Sequence, residues 1–294
     1  MYKPGSDDPR ISGPQPNDRS SNGPPRNTKV MLALAGVGFA AASAMAFSST
    51  SQDSIPARQS PAVTGPGKPF VDDFSRLDKS VWSVSDGWSN GSYMVNDWRG
   101  SQSVFDDGLT LKLEDRPGGI SRYASGEVQS RATYGHGYYE ATMQAASGSG
   151  IVSGFFTYTG PPFGKPWNEI DVEILGRNTK EALLTYFYNG KSISQVVKLN
   201  FDAATGLHHY AFDWQPGYIR WYIDGRLVHE ATGSKMPLPS EAQKIMVHLW
   251  GTDSIKDWAG PFDRGAVPTR LRFGCIAYSQ GRSATDQCRN RTDR

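Results

Sequence analysis

Three acidic residues occupy alternate positions in the segment Trp167-Asn168-Glu169-Ile170-Asp171-Val172-Glu173-Ile174-Leu175-Gly176, with aliphatic residues between them. On a β-strand alternate side chains share a face. Glu169, Asp171 and Glu173 would then point one way, and Ile170, Val172 and Ile174 the other. A helix would scatter the carboxyls around its axis. Like charges stacked on one strand face repel and cost stability, so the pattern calls for a partner cation or a task. A solvated polar face is the plainer reading, and Trp167, Phe155 and Phe156 speak against it by marking an aromatic, half-buried setting. Two carboxyl groups flanking one bond are what glycoside cleavage needs, and a retaining mechanism sets them roughly 5–5.5 Å apart. Residues four apart on a strand have Cα atoms roughly 13 Å apart, so the two glutamates must lean together on a curved sheet. Asp171 between them can raise a neighbour's pKa, and the three would titrate as a group.

Such a row needs strands to hold it, and the surrounding chain supplies them. From about Pro69 to Gln280, short apolar stretches alternate with turns of Gly, Asn, Asp and Pro. Tyr138–Met143 alternates with period two. Tyr218–Ile223 is followed by Asp224-Gly225 and then Arg226-Leu227-Val228-His229, a hairpin signal because Asp-Gly suits a two-residue type I′ turn. No long stretch carries a 3.6-residue period. These features predict one all-β domain of sandwich or jelly-roll kind over residues 68–280, followed by a polar tail, 281–294.

The N-terminal quarter has a different texture. Residues 1–28 are rich in Pro, Gly, Ser, Asn, Asp and Arg and cannot bury a core, so disorder is expected. Lys29 opens the apolar run Val30–Phe47, and Ala44-Met45-Ala46 fits a small-residue cleavage site. Residues 29–47 therefore read as a signal peptide, or as a signal anchor if uncleaved, and residues 48–67 as a linker. The expectation is a secreted or periplasmic protein, or one held at the inner membrane by residues 30–47.

Composition narrows the chemistry further. A net charge of +2, with no phosphate-cradling Gly-rich loop and no basic stripe, excludes a nucleic-acid partner. None of the five histidines, His136, His208, His209, His229 and His248, has metal-ligand spacing, so no metal site is expected. Aromatic residues reach 12% of the chain, with 8 Trp and 13 Tyr, which suits either core packing or stacking against sugars. Cys275 and Cys288 could pair across a short loop or stay free.

Glu169-Ile170-Asp171-Val172-Glu173 resembles the Glu-aliphatic-Asp-aliphatic-Glu signature of glycoside hydrolase family 16, in the uninterrupted form of its bacterial 1,3-1,4-β-glucanase (lichenase) branch. Co-linear blocks extend the resemblance over residues 70–280. They are Asp86–Gly91, Thr133–Glu140, Gly150–Gly160, His209–Ile219, Trp221-Tyr222 and Asp224-Gly225. The resemblance implies a jelly roll of two antiparallel sheets with a substrate cleft on a concave face. It implies an endo-acting, retaining β-glucanase that uses Glu169 as nucleophile, Glu173 as acid/base and Asp171 as assistant. It also implies substrate contacts from Trp167, Glu127, Trp250, Trp258, Tyr186, Trp88, Trp98 and His248. No cofactor is required, the partner is a polysaccharide, and a monomer is expected.

Several positions depart from the lichenase pattern. Val95, Gln129, Leu183, Thr185, Phe187 and His248 stand where that branch carries Asn, Arg, Gln, Asn, Tyr and Asn. The loss of these hydroxyl-binding groups shifts the expectation from cereal β-glucan toward a bacterial exopolysaccharide of succinoglycan type. The lichenase disulfide is absent, and the aspartate that contributes to the structural calcium appears as Gly274, which leaves calcium to backbone carbonyls. Two other readings stand beside hydrolysis: a transglycosylase using the same glutamates, and a non-catalytic jelly-roll lectin.

Overall fold

A computed structural model describes residues 67–283 and 286–289. The expectations for 1–28 and 29–47, and for all of 48–67 but its last residue, lie outside the described residues. The described chain is a β-sandwich. The front sheet holds β2 (Trp82–Val84), β7 (Glu127–Ser130), β9 (Ile151–Thr159), β10 (Asn168–Leu175), β11 (Glu181–Tyr188), β12 (Lys191–Lys198) and β16 (Lys244–Gly251). The back sheet holds β1 (Phe70–Asp72), β3 (Asn96–Trp98), β4 (Ser103–Phe105), β5 (Leu109–Asp115), β6 (Tyr123–Ser125), β8 (Gly137–Gln144), β13 (His208–Gln215), β14 (Tyr218–Ile223), β15 (Arg226–Ala231) and β17 (Thr269–Ser279).

The front sheet runs in the order β12-β11-β10-β9-β16-β7-β2, and the back sheet β15-β14-β13-β8-β17-β5-β6-β3, with β1 added to β17 and β4 to β5. Among the described residues only β3 and β6 pair in parallel; the other ladders are antiparallel. This is the expected all-β, two-sheet jelly-roll architecture, with strands adjacent in sequence often far apart in the sheet.

Alternation along the strands decides which residues fill the space between the sheets. Ile170, Val172 and Ile174 of β10 are buried there with Phe155, Ile245, Val247, Leu249, Phe212 and Trp214. Fully burying each such aliphatic side chain stabilises by about 1.5–3 kcal/mol. A one-residue slip of β10 would expose all three and drive three carboxyls into the core, so the register is strongly fixed. Both β14–β15 and β11–β12 turn through residues of positive φ, Asp224-Gly225 (48° and 77°) and Asn189-Gly190 (50° and 78°). That is the type I′ geometry, which Asx-Gly pairs adopt at little cost.

The tail expected at 281–294 is partly docked. Cys288 is bonded to Cys275 of β17, its N–H donates to Glu140 at 3.0 Å, and Asp286 accepts from the Tyr138 hydroxyl at 3.0 Å. This segment covers the outer side of the back sheet, where the buried Glu140 and His209 pair at 3.1 Å.

Candidate active site

Because Ile170, Val172 and Ile174 face the core, Glu169, Asp171 and Glu173 emerge together on the outer face of the front sheet. β10 is third from one edge of this sheet, with β9 and β11 on either side, and register fixes its neighbours. Glu173 lies opposite Leu183 on β11 and Gly154 on β9. Asp171 lies opposite Thr185 and Phe156, and Glu169 opposite Phe187 and Tyr158. The rows continue onto β16 and β7, where His248 pairs with both Gly154 and Glu127, and Met246 with Phe156 and Gln129.

The nucleophile candidate is held from two sides. The Trp167 indole N–H donates to Glu169 Oε2 at 2.5 Å, and its ring stacks on Phe187 at 4.5 Å between centroids. A side-chain hydrogen bond between Asp171 and Glu169 favours the ionised form of Glu169 and the protonated form of Asp171. Asp171 and Glu173 are 3% and 7% exposed, so little water reaches them. Burial pushes all three carboxyls above their ordinary range. Glu169 rises to about 7, eased by the bonds from Trp167 and Asp171. Asp171 is raised well above its ordinary value, by burial and then the charges of Glu169 and Glu173. Glu173 rises to about 8, from burial and then the Glu169 charge. Near neutral pH the face therefore carries a hydrogen-bonded Glu169 able to ionise, a protonated Asp171 and a protonated Glu173. An anion beside an acid is the pair that a double displacement needs.

The remaining predicted site residues fall into three groups. Glu127 and His248 share the row of Glu173. Glu127 accepts from the Ser85 hydroxyl at 2.6 Å. His248 sits over Gly154, where a Cβ would come within 2.6 Å of its Nε2. Its ring lies parallel to Trp98 and against Phe156, and burial pushes its pKa down to about 3, so it is neutral. Trp88, Trp98, Trp250 and Trp258 gather in a second aromatic cluster beyond that row, with Val152 and Leu175.

Three expectations need correction. Trp98 and Trp250 have no exposed surface. They underlie this end of the face, and in this conformation neither can touch a sugar; the chain entering β3 docks on the end of β16, where Val95 N–H donates to Gly251 O and Gly251 N–H to the Asn96 side chain. Half-buried Trp258 stacks on Trp250, and half-buried Trp88 packs edge-on against Trp98. Tyr186 is not on the carboxylate face at all. It pairs with Ile170 in register, shares the inward side and gives its hydroxyl to Met236 O at 3.0 Å.

The structure also adds Tyr93. It packs edge-on against Trp250 at 5.8 Å. Burial, then the charges of Glu127 and Glu169, holds its hydroxyl protonated far above the usual range, while Asn90 hydrogen-bonds it. Its packing on Trp250 places it at that end of the face, where the charges of Glu127 and Glu169 act on it. No periodicity marks it in the sequence, because its position comes from docking of the 88–98 loop.

Among the described residues no cluster of three or more His, Cys, Asp or Glu side chains could hold a metal. Around Gly274, Asp73 and Asp107 line a small cavity together with Arg272.

Comparison with known proteins agrees with this fold. Residues 90–267 match the model of glycosyl hydrolases family 16. A β-glucanase of Paenibacillus macerans is 41% identical over 214 residues, 72% of this chain and 89% of that protein. The endo-1,3-1,4-β-glycanase ExoK of Rhizobium meliloti is 41% identical over 223 residues, 75% of this chain and 81% of that protein. The crystal structure of Bacillus licheniformis β-glucanase superposes with a TM-score of 0.68 at 38% identity, covering 72% of this chain and 98% of that one. Fold and site thus define a jelly-roll O-glycosyl hydrolase. The chain belongs to glycosyl hydrolase family 16.

Proposed function

We propose that this protein cleaves internal β-glucosidic bonds of a β-glucan or a bacterial exopolysaccharide with retention of configuration. One observation carries the reading: Glu169, gripped by Trp167 and Asp171, shares a strand face with a protonated Glu173. Glu169 attacks the anomeric carbon while Glu173 gives its proton to the departing glycosidic oxygen. A glycosyl-enzyme ester forms. Glu173, now a carboxylate, takes a proton from water, which attacks the anomeric carbon and frees Glu169. Asp171 keeps its proton throughout and donates to Glu169, steadying the carboxylate each time it is released.

The relatives are named β-glucanases and an endo-1,3-1,4-β-glycanase, which supports a glucose-based β-linked polymer. Leu183, Phe187 and His248 replace hydrogen-bonding side chains on the polymer's path and favour the exopolysaccharide. Glu127, Trp167, His248, Trp88 and Trp258 are the proposed substrate contacts. The enzyme works as a monomer without a cofactor, after export directed by residues 29–47; N-terminal sequencing of the mature protein distinguishes secretion from anchoring by residues 30–47.

The test is incubation of the purified protein with lichenan, laminarin, carboxymethylcellulose and succinoglycan, following new reducing ends and the anomeric form of the first products by NMR. Mid-chain cleavage with β-configured products is expected, and Glu169→Gln folds but leaves no detectable activity. α-Configured first products, or no cleavage of any of the four, would overturn the reading.

A further inference from the structure

The groove between the edge strands of the two sheets carries an inference that rests on the glucan reading above. β12 ends the front sheet and β15 ends the back sheet. Between them lies a cavity of about 120 Å³, lined among others by Tyr186, Ser194, Gln195, His229, Ser234 and Lys235. Nothing in the catalytic scheme uses it.

The carboxylate face leads to it. The Trp167–Phe187 stack closes one end of that face along the strands, and the cluster around Trp250 closes the other. The open direction therefore crosses the strands. From Asp171 the register runs to Thr185 on β11 and on to Ser194 on β12, and the Thr185 and Ser194 hydroxyls are hydrogen-bonded at 2.9 Å. The flanking rows carry Leu183 and Val196 on one side and Phe187 and Ser192 on the other. This strip is uncharged and mixes apolar surface with hydroxyls, as the two faces of a sugar ring require. It ends at Ser194, which lines the groove as well. Two strand spacings, about 10 Å, separate Asp171 from Ser194, so the groove lies beyond the sugar units nearest the cut.

Its walls suit the same ligand. Tyr186 is pinned by its bond to Met236 O, which fixes the 232–236 turn as one side of a formed groove. Glu230 also lines the groove, and its charge is engaged by Arg220. Burial lowers the pKa of His229, whose ring rests on Trp221. What remains is a set of neutral donors and acceptors with one lysine at the rim, suited to a hydroxyl-rich neutral chain.

We infer that the groove between β12 and β15 is a distal binding site for the polysaccharide substrate, reached by the chain that crosses Thr185 and Ser194 on its way out of the active site.

The experiment compares wild type with Gln195→Ala/His229→Ala and with Lys235→Ala, using mixed-linkage β-glucan and its oligosaccharides of increasing length. Losing one or two hydrogen bonds in the groove raises KM for the polymer about threefold to tenfold each, while kcat/KM for the shortest cleaved oligosaccharide stays unchanged. Titration calorimetry on the Glu169→Gln background should show affinity stepping up once the chain reaches the groove, and the step vanishing in the double variant. Equal polymer KM in all proteins, or affinity without a length step, overturns the groove while leaving the glucanase reading intact. Equal losses on short and long substrates also overturn it, since they report a structural effect. If wild type cleaves none of lichenan, laminarin, carboxymethylcellulose and succinoglycan, the parent reading fails first and the groove falls with it; if it cleaves only succinoglycan, the same comparison is made with that polymer and its oligosaccharides.

Discussion

Replacing Glu173 by Gln should make the folded protein more resistant to unfolding at pH 8 and leave it nearly unchanged at pH 4.5. Burial, then the Glu169 charge, holds the Glu173 carboxyl at about 8 against an ordinary value of 4.5. Between these values the folded protein keeps a proton that the unfolded chain has released. Stability is therefore lost as pH rises through that window, by about 1.4 kcal/mol for each pH unit crossed. The full window corresponds to at most about 5 kcal/mol. Water that enters the face on ionisation reduces this, so a gain of about 2–5 kcal/mol is expected for the variant at pH 8. For a domain of this size that is about 4–20 °C in Tm. Gln has nearly the same shape and does not titrate, and every other group is common to both proteins, so the difference between their curves isolates this site. Removing the Glu173 charge also relieves Asp171, which it repels, with the same sign. Urea unfolding followed by tryptophan fluorescence at pH 4.5, 6, 7 and 8 measures the difference, with the disulfide kept intact. Parallel stability curves, offset by a constant at all four values, would refute the claim that Glu173 is folded with its proton.

Three further outcomes follow from particular contacts. Trp167→Phe keeps the stack on Phe187 but removes the N–H that lowers the Glu169 pKa; the acidic limb of the kcat/KM–pH profile should move upward, with a loss of about tenfold or more at its optimum, as expected for a hydrogen bond to a charged group. Gly154→Ala places a methyl 2.6 Å from His248 Nε2, in a ring held between Trp98 and Phe156; circular dichroism should show the fold retained, at a stability cost of about 1–3 kcal/mol, while kcat/KM falls. Cys275→Ser opens a disulfide that spans 13 residues and uncovers the buried Glu140–His209 pair; it should cost about 3 kcal/mol by urea unfolding and leave kcat/KM on short oligosaccharides at 25 °C unchanged, because the docked tail lies on the opposite sheet.

The parts of the site that were legible in the sequence are those that depend on one strand alone. Period-two alternation in Glu169–Ile174 is a property of extended backbone, so it assigns faces before any partner strand is known. The Asp224-Gly225 turn is equally local. Tyr186 failed because its face depends on parity relative to β10: an offset of one residue puts a side chain on the wrong side of the sheet, and Phe187, its neighbour, is the one beside Glu169. Trp98 and Trp250 failed for a different reason. Their backbone positions border the face as expected, yet both side chains are fully buried where Val95 and Asn96 bond Gly251, and no local pattern announces that contact. Tyr93 is hidden in the sequence for the same reason, and the Cys275–Cys288 bond could not be chosen from spacing alone.

The electrostatics of the row reveal why three acids on one strand persist. Repulsion between carboxylates can be relieved by a cation, by solvent or by protons. The cross-strand neighbours of the three are Phe187, Tyr158, Thr185, Phe156, Leu183 and Gly154, and none carries charge. Asp171 and Glu173 are also largely cut off from water. Protons are what remains, and the upward shifts of all three groups express that relief. The sheet thereby delivers Glu173 as an acid near neutral pH without a dedicated partner, and the Trp167 and Asp171 donors single out Glu169 as the member that can carry the charge. A lysine or arginine introduced opposite Asp171, at Thr185 for example, would relieve the repulsion by the other route; it should stabilise the protein above pH 7 and abolish the acid form of Glu173, so that thermal stability rises while the basic limb of the activity profile moves down. Gain in both stability and activity at pH 8 would contradict the argument.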